Sequence, residues 1–224
     1  MSKFIVFSGI DSAGKSTQIE LIKVEYFKLK QKCFVFWSRG GYTPGFQKFK
    51  NLLRIFLGNK LAKPGNTPQR RKVLSNSFFR KLWLIIAILD LIYYYCIYLR
   101  FMKLRNFNII CDRYLMDTLI DFNIAYPNEK IEDWILWKLL NYTSLKPDVH
   151  FILAISVVES KKRSLKKNEP FPDSSKDLSL RLNNYIDYAK SNDKVDFIWC
   201  EKSVKIVNDE IITKLNKHGI LDDY

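Results

Sequence analysis

Residues 9–17 read GIDSAGKST, and this stretch constrains the fold more than any other part of the chain. An apolar run typical of a buried strand, 3–8, precedes it, and a stretch with helical periodicity, 15–31, follows it. Two glycines, a lysine and two hydroxyls between a strand and a helix match the phosphate-binding pattern G-x-x-x-x-G-K-[ST]. The glycines let backbone N–H groups turn toward a phosphate, and the helix start directs its positive dipole end at the same anion.

The side chains of this loop predict a nucleoside triphosphate with its metal ion. Lys15 is placed to bridge the β- and γ-phosphates of ATP, Ser16 to ligate Mg²⁺, and Thr17 to reach the α-phosphate. The predicted ATP-binding positions are Gly9, Ile10, Asp11, Ser12, Ala13, Gly14, Lys15, Ser16 and Thr17.

Short apolar runs alternate with helical patterns along the rest of the chain. This alternation predicts an α/β fold in three layers, with a five-stranded parallel sheet flanked by helices. The length of 224 residues fits a single domain, 1–224. The predicted strands are 3–8, 32–37, 106–112, 148–156 and 194–200. The other predicted helices are 73–104, 115–126, 131–143, 157–167, 176–191 and 203–217.

Cysteine spacing and the start of the sequence predict a cytoplasmic protein. The four cysteines are scattered, without a C-x-x-C pair, and two of them lie inside apolar strand-like runs, which favours reduced core thiols. The first apolar run ends at Asp11, too early for a signal peptide.

The positive charge of the chain is concentrated in one segment. The net charge is +14, and the interval 26–89 contains no acidic residue and fourteen basic ones. The remaining 23 basic residues balance the 23 acidic ones, so the whole excess lies in this interval. A lysine-rich composition explains the abundance of lysine but not the missing carboxylates. An anionic partner therefore remains open beside a merely solvated basic face.

The apolar stretch 82–99 approaches the length of a membrane span. Asp90 lies at its middle, where an unpaired carboxylate in lipid would be costly. The predicted strands 3–8 and 106–112 lie on either side of it and should share one sheet, which a single span would prevent. We therefore predict a buried helix. Use of this helix as a homodimer face and peripheral membrane contact both stay open.

A second motif, IICDRYLMDT at 109–118, follows the third predicted strand. It places Asp112 and Arg113 at the carboxyl end of that strand, where open parallel sheets bind their ligands. Asp112 is suited to anchor Mg²⁺ indirectly, through the direct ligands of the ion. The two-pronged guanidinium of Arg113 is suited to a second phosphate. Taken alone, the pair favours a salt bridge at a strand end over a phosphate site.

Taken together, these motifs resemble the thymidylate kinase family of nucleoside monophosphate kinases. GIDSAGKST and DRY match its two phosphate motifs, and the basic segment 159–173 looks like its lid. The segment 181–190 resembles the helix after the lid, and 195–211 resembles the final strand with the loop that covers adenine. The resemblance implies a P-loop kinase fold with a basic lid, about 159–177, and transfer of phosphate from ATP to a nucleoside monophosphate. The default reaction is dTMP + ATP to dTDP + ADP.

The resemblance also implies a role for individual residues. Asp11 would face the sugar hydroxyl of the acceptor, and Arg39 and Arg113 would hold the acceptor phosphate. Tyr114 would lie against the acceptor sugar, and Asp117, where a serine is common, is counted with the acceptor-binding residues. The predicted catalytic residues are Lys15, Asp11, Arg113 and Arg163. Ser12 replaces a loop arginine of some members, so the lid cations Arg163, Lys166 and Lys167 would neutralise the γ-phosphate.

This chain departs from the family pattern around the acceptor base. GGYTPG follows Arg39 in place of a Glu-Pro-Gly-Gly-Thr type loop, and a basic insertion, about 46–81, lengthens the segment before the long helix. Leu91 or Ile92, beside Asp90, occupies the place of an arginine that hydrogen-bonds thymine. Two alternatives to the default reaction therefore remain. One is a kinase for another phosphorylated or hydroxyl acceptor, and the other is a non-catalytic ATP-bound protein that docks an anionic surface.

For such docking, the segment 46–83 favours an anionic membrane surface over nucleic acid. Its aromatic residues cluster at the start of one apolar helix. They do not interleave with the cations as base-stacking platforms would.

Overall fold

Five parallel strands form the centre of the computed structural model, which describes residues 2–38, Thr43, 74–168 and 173–221. The strands pair in the order β2-β3-β1-β4-β5. Each predicted strand is confirmed, with its ends within two residues of the expectation. The strands are β1 Phe4–Ser8, β2 Cys33–Trp37, β3 Asn108–Asp112, β4 Val149–Ala154 and β5 Val195–Trp199.

Helices connect the strands as the sequence pattern predicts. The described helices are α1 Lys15–Lys28, α2 Ser77–Ile92, α3 Leu99–Leu104, α4 Leu115–Ala125, α5 Ile135–Thr143, α6 Val157–Lys166, α7 Ser175–Lys190 and α8 Val204–Lys217. The predicted helix 131–143 is divided, because Trp134 is extended between a short 3₁₀ turn, Ile131–Asp133, and α5. The indole N–H of Trp134 donates to the carbonyl of Glu129, which holds this break in place.

The central strand is buried on both faces, which explains its continuous apolar sequence. Ile5 and Phe7 point to a core shared with α1, α7 and α8, whereas Phe4 and Val6 point to a core shared with α2 and α5. All four side chains are fully buried. This alternation is the period of two expected for a strand between two helical layers, and the three-layer α/β prediction is confirmed.

The long apolar helix packs one face on the sheet and leaves the other exposed. It runs from Ser77 to Leu104, with a π-helical segment, Tyr93–Tyr98, between α2 and α3. By length and composition alone it could cross a membrane, and 44% of its most apolar part is buried within the protein. The wider π turn allows the consecutive Tyr94 and Tyr95 both to reach the core. The prediction of a helix that belongs to the core is therefore correct for one face only.

The strand register brings the ends of three strands to one place. Asp112, the last residue of β3, lies beside Phe7 of β1 on one side and Trp37 of β2 on the other. The loop after β1 and the residues after β2 and β3 therefore begin at the same edge of the sheet. Open parallel sheets bind their ligands at such an edge, where the strand order reverses.

Candidate active site

The loop after β1 is held in a conformation that suits glycine at two positions. Gly9 has φ 139° and Gly14 has φ 96°, both in the range that L side chains rarely adopt. A Cβ atom at Gly9 would clash with the carbonyl oxygen of Leu153 in β4. Ile10 and Ala13 are buried and fasten the loop to the core. Gly9 and Gly14 can therefore contact a ligand only through their backbone atoms.

Lys15 is folded back over its own loop. Its Nζ donates to the carbonyls of Gly9 and Ile10, at 2.9 Å each, and the side chain is only 7% exposed. Burial, followed by the positive charge of Arg113, lowers the pKa of Lys15 to about 8, although nearby carboxylates act in the opposite direction. An incoming triphosphate would replace the two carbonyls and favour the charged amine.

A cavity of about 210 Å³ opens beside this loop. Residues 11–17 form one wall of it, and Trp37, Asp112, Arg113 and Lys167 complete the lining. Ser16 and Thr17 are exposed in the first turn of α1, where helix N–H groups lack partners within the helix. The structure thus brings the predicted ATP-binding loop and the Asp-Arg pair of the second motif to one cavity.

Arg113 is fixed at both its backbone and its side chain. Its φ is 75°, an unusual value for a long side chain, and its N–H donates to the carbonyl of Phe7 at 2.8 Å. Its guanidinium forms an ion pair with Asp11 of the loop, and Nη1 lies 3.6 Å from Oδ1 of Asp117. Within the described part of the chain, Nη1 has no hydrogen-bond partner. Arg113 as a residue lines the cavity, so its guanidinium can present positive charge to an anionic ligand there.

The oxygen atoms at this edge fit the predicted magnesium ion. Burial raises the pKa of Asp112, and its Oδ1 has no hydrogen-bond partner among the residues that the structure describes. Ser16 adds an exposed hydroxyl at the same cavity. The described residues contain no cluster of three or more acidic, histidine or cysteine ligands. Magnesium bound mainly through phosphates and water, with few protein oxygens, matches this set.

Three predicted site residues are not among those that line the cavity. Tyr114 is 4% exposed, and its hydroxyl donates to the carbonyl of Leu145. Asp117 is 1% exposed, and Arg113 lies between it and the Asp11 carboxylate. Arg163 pairs with Glu159 at 2.7 Å and donates to the carbonyl of Cys200. The expected direct contacts of these three side chains with substrates therefore do not follow from their placement.

The cavity also contains residues that sequence reasoning ranked lower or missed. Lys167, which follows α6, lines the cavity, whereas Arg163 of the same predicted lid does not. Trp37 at the end of β2 is 49% exposed beside Asp112, and nothing in its apolar sequence context marks it as a site residue. Ser160 of α6 donates to the carbonyl of Asp11 and ties the lid helix to the loop. Arg39, Lys60 and lid residues 169–172 lie outside the described residues.

Two solved structures share this fold over nearly the whole chain. Thymidylate kinase from Ehrlichia chaffeensis aligns with a TM-score of 0.56 and 22% identity, over 96% of this chain and 98% of that protein. Thymidylate kinase from Candida albicans aligns with a TM-score of 0.60 and 15% identity, over 99% and 94%. No family model matches the chain.

The strand order, the loop after the central strand and the Asp-Arg pair beside it match the P-loop kinase fold. "Probable thymidylate kinase" of Methanocaldococcus jannaschii is 29% identical over 93% of both chains. "Thymidylate kinase" of Caldicellulosiruptor saccharolyticus is 26% identical over 99% of this chain and 96% of its own length. Over nearly its whole length the chain is therefore similar to thymidylate kinases, as its nucleotide loop and Asp-Arg motif predict.

The buried state of Lys15 predicts that ATP affinity depends on pH. Above pH 8 the free enzyme loses the Lys15 proton, whereas bound ATP stabilises the charged amine, so binding must take up a proton. We expect the Kd of MgATP to rise roughly eightfold from pH 7.5 to pH 9. Isothermal titration in two buffers of different ionisation enthalpy measures both the Kd and the proton uptake.

The Lys15→Ala variant is the control for this titration. It should bind MgATP more weakly and with little change over the same pH range, because the titrating amine is absent. An equal pH dependence in the variant and the wild type would show that another group is responsible.

Proposed function

We propose that this protein transfers the γ-phosphoryl group of ATP to a nucleoside monophosphate, with dTMP as the default acceptor. The observation that carries the proposal is that Lys15 and Arg113 lie at one cavity, each suited to a different phosphate. An oxygen of the acceptor phosphate would form the new P–O bond, and the bond between the γ-phosphorus and the bridging oxygen would break. The relatives named thymidylate kinase support this reaction and give no support to the alternatives.

The residues of the cavity would act by positioning and by neutralising charge. The loop N–H groups and Lys15 would hold the β- and γ-phosphates, and Arg113 would bring the acceptor phosphate in line with them. Lys167 is the lid cation closest to this role, because it already lines the cavity. Mg²⁺, bound through Ser16 with Asp112 behind it, would supply further neutralisation of phosphate charge. A dedicated general base is not essential, because the acceptor is already an anion.

The long helix has no arginine at the position where one would hydrogen-bond the acceptor base. Leu91 is fully buried, and Asp90 accepts a hydrogen bond from the hydroxyl of Thr43, which follows β2. Between Arg80 and Arg100, the helix carries no arginine. We therefore propose that the acceptor is selected first by its phosphate, and the test must include several bases.

The proposed reaction is tested with γ-labelled ATP and an equimolar mixture of nucleoside monophosphates. We expect label in one or more nucleoside diphosphates, with dTDP as the default product. The reason is that every monophosphate in the mixture carries the phosphate group that Arg113 would bind. Thin-layer or liquid chromatography identifies the labelled product. Release of labelled phosphate alone, or no turnover with any monophosphate, would contradict the proposal and favour a different acceptor or a non-catalytic protein.

The exposed face of the long helix supports a homodimer as a further part of this proposal. Apolar side chains repeat there every three or four residues, and each is about half exposed or more: Leu89, Tyr93, Ile97, Phe101 and Leu104. This spacing forms one continuous stripe along a helix. A second copy of the chain would cover the stripe by antiparallel or crossed packing of the same helix.

The start of the same helix supports peripheral contact of a cytoplasmic enzyme with an anionic membrane. Phe78, Phe79 and Leu82 are between 43% and 69% exposed and lie close in sequence to Lys81. Exposed aromatic groups next to a cation suit the interface of anionic lipids. The other cations assigned to this contact belong to the basic insertion, whose residues 46–73 lie outside the described part of the chain.

Sedimentation tests both surfaces. In analytical ultracentrifugation we expect a dimer for the wild type and a monomer for Ile97→Glu. Phe27→Glu is the control, because Phe27 is an apolar residue elsewhere that is 82% exposed.

With vesicles of rising anionic lipid content, we expect the wild type to pellet. A variant with Lys60, Lys63, Arg70, Arg71 and Lys72 changed to Gln should pellet less. A monomeric wild type, or equal pelleting of both proteins, would refute the corresponding contact.

A further inference from the structure

Asp117 is a buried carboxylate that receives hydrogen bonds from three parts of the fold. The hydroxyl of Ser8 in β1 donates to Oδ2 at 2.5 Å, and the backbone N–H of Tyr114 donates to the same oxygen at 2.9 Å. The hydroxyl of Tyr185 in α7 donates to Oδ1 at 2.7 Å. These donors fix the carboxylate plane, and a carboxylate that is only 1% exposed requires such partners.

The Ser8 hydroxyl extends this network to β4. Nε2 of His150 lies 2.8 Å from Oγ of Ser8, and both side chains are buried. Because the single hydroxyl proton of Ser8 is directed to Asp117, Nε2 of His150 must carry a proton and donate it. Burial lowers the pKa of His150 to about 4, so the ring donates in its neutral form. The network therefore holds the Asp117 carboxylate in place, with its Oδ1 3.6 Å from Nη1 of Arg113.

The guanidinium of Arg113 lies between this buried carboxylate and the loop. Asp117 is on its core side, and Asp11, whose side chain is 25% exposed, is on its cavity side. The backbone of Arg113 is fixed by its bond to Phe7, but the long side chain has several rotatable bonds and needs a partner at its head. Asp11 belongs to the nucleotide loop and cannot provide that support independently of the nucleotide. Asp117 can, because its three hydrogen-bond donors, Ser8, Tyr114 and Tyr185, all lie outside the loop.

We propose that Asp117 is a positioning residue that holds the Arg113 guanidinium in the orientation needed by the acceptor phosphate. Asp117 itself does not touch the acceptor, which replaces the direct contact expected from the sequence. The inference rests on the proposed function in one respect, namely that Arg113 binds the acceptor phosphate. It adds a role for a residue that does not line the cavity and for the network that supports it.

The test uses Asp117→Asn, which keeps the size of the side chain and removes its charge. The amide oxygen can still accept from the N–H of Tyr114, and the hydroxyl of Tyr185 can rotate to accept from the amide nitrogen. We expect kcat/KM for the acceptor to fall about 10- to 100-fold, as when the supporting partner of a functional group is removed. The KM of ATP should stay within about twofold. A lower acceptor KM would overturn the proposal, because Asp117 would then merely neutralise Arg113.

Glu129→Gln is the matched control for loss of a buried carboxylate. The side chain of Glu129 is 6% exposed and pairs with Arg80 at 2.5 Å, and neither residue lines the cavity. This variant should be less stable to urea than the wild type, with unchanged kinetics for the acceptor. An equal loss of acceptor kcat/KM in both variants would show that Asp117 has only a structural role.

A double-mutant cycle with Arg113→Lys tests whether Asp117 acts through Arg113. A lysine cannot present the two-pronged donor that Asp117 orients, so Asp117→Asn should change acceptor kcat/KM in that background by less than about threefold. Independent, multiplicative losses would overturn the proposal and indicate direct contact or general destabilisation.

A crystal structure of Asp117→Asn tests the same claim without any reaction. We expect the guanidinium of Arg113 to leave its position against Asp11 or to occupy more than one position. An unchanged Arg113 would overturn the proposal. If the wild type turned over no nucleoside monophosphate, that result would refute the proposed function instead. The position of Arg113 in the crystal structure of Asp117→Asn would then decide the present inference by itself.

Discussion

The parallel pairing of β1 with β3 is the interaction on which the candidate site depends. Its register places Asp112 beside Phe7, and the N–H of Arg113 continues the ladder to the carbonyl of Phe7. If β3 slipped by one residue against β1, the side chains along β3, including Asp112, would turn to the opposite faces of the sheet. The same strands are buried on both faces, so the register is fixed by two hydrophobic cores before any ligand is bound.

The cavity at this edge gathers charges that are incompletely paired with one another. Lys15 bonds only to backbone carbonyls, one oxygen of Asp112 accepts no hydrogen bond, and Nη1 of Arg113 donates none within the described part of the chain. Leaving buried polar atoms without partners is unfavourable. Phosphate oxygens would satisfy Lys15 and Arg113, and a hydrated cation would satisfy Asp112. The arrangement is therefore already organised for a charged substrate.

The sequence predicted the sheet, the helices and the nucleotide loop because these depend on local patterns. Continuous apolar runs indicate strands covered on both faces, and the loop motif requires glycine where φ is positive. The network around Asp117 could not be predicted in this way, since Ser8, His150 and Tyr185 are far apart in the sequence and meet only in the fold. Arg163 illustrates the same limit. Its charge predicted a role in the lid, but its neighbour Glu159 and the carbonyl of Cys200 engage it elsewhere.

The central claim is that one cavity holds a donor phosphate at Lys15 and an acceptor phosphate at Arg113. It is tested most directly by calorimetric titration with adenosine and thymidine joined through five phosphates, which spans both positions. If both positions bind, the linked compound should have a Kd at least about 100-fold below that of ATP, because the second contact becomes intramolecular. In Arg113→Ala this advantage should be lost while ATP binding remains. A linked compound that binds the wild type no more tightly than ATP would contradict the account.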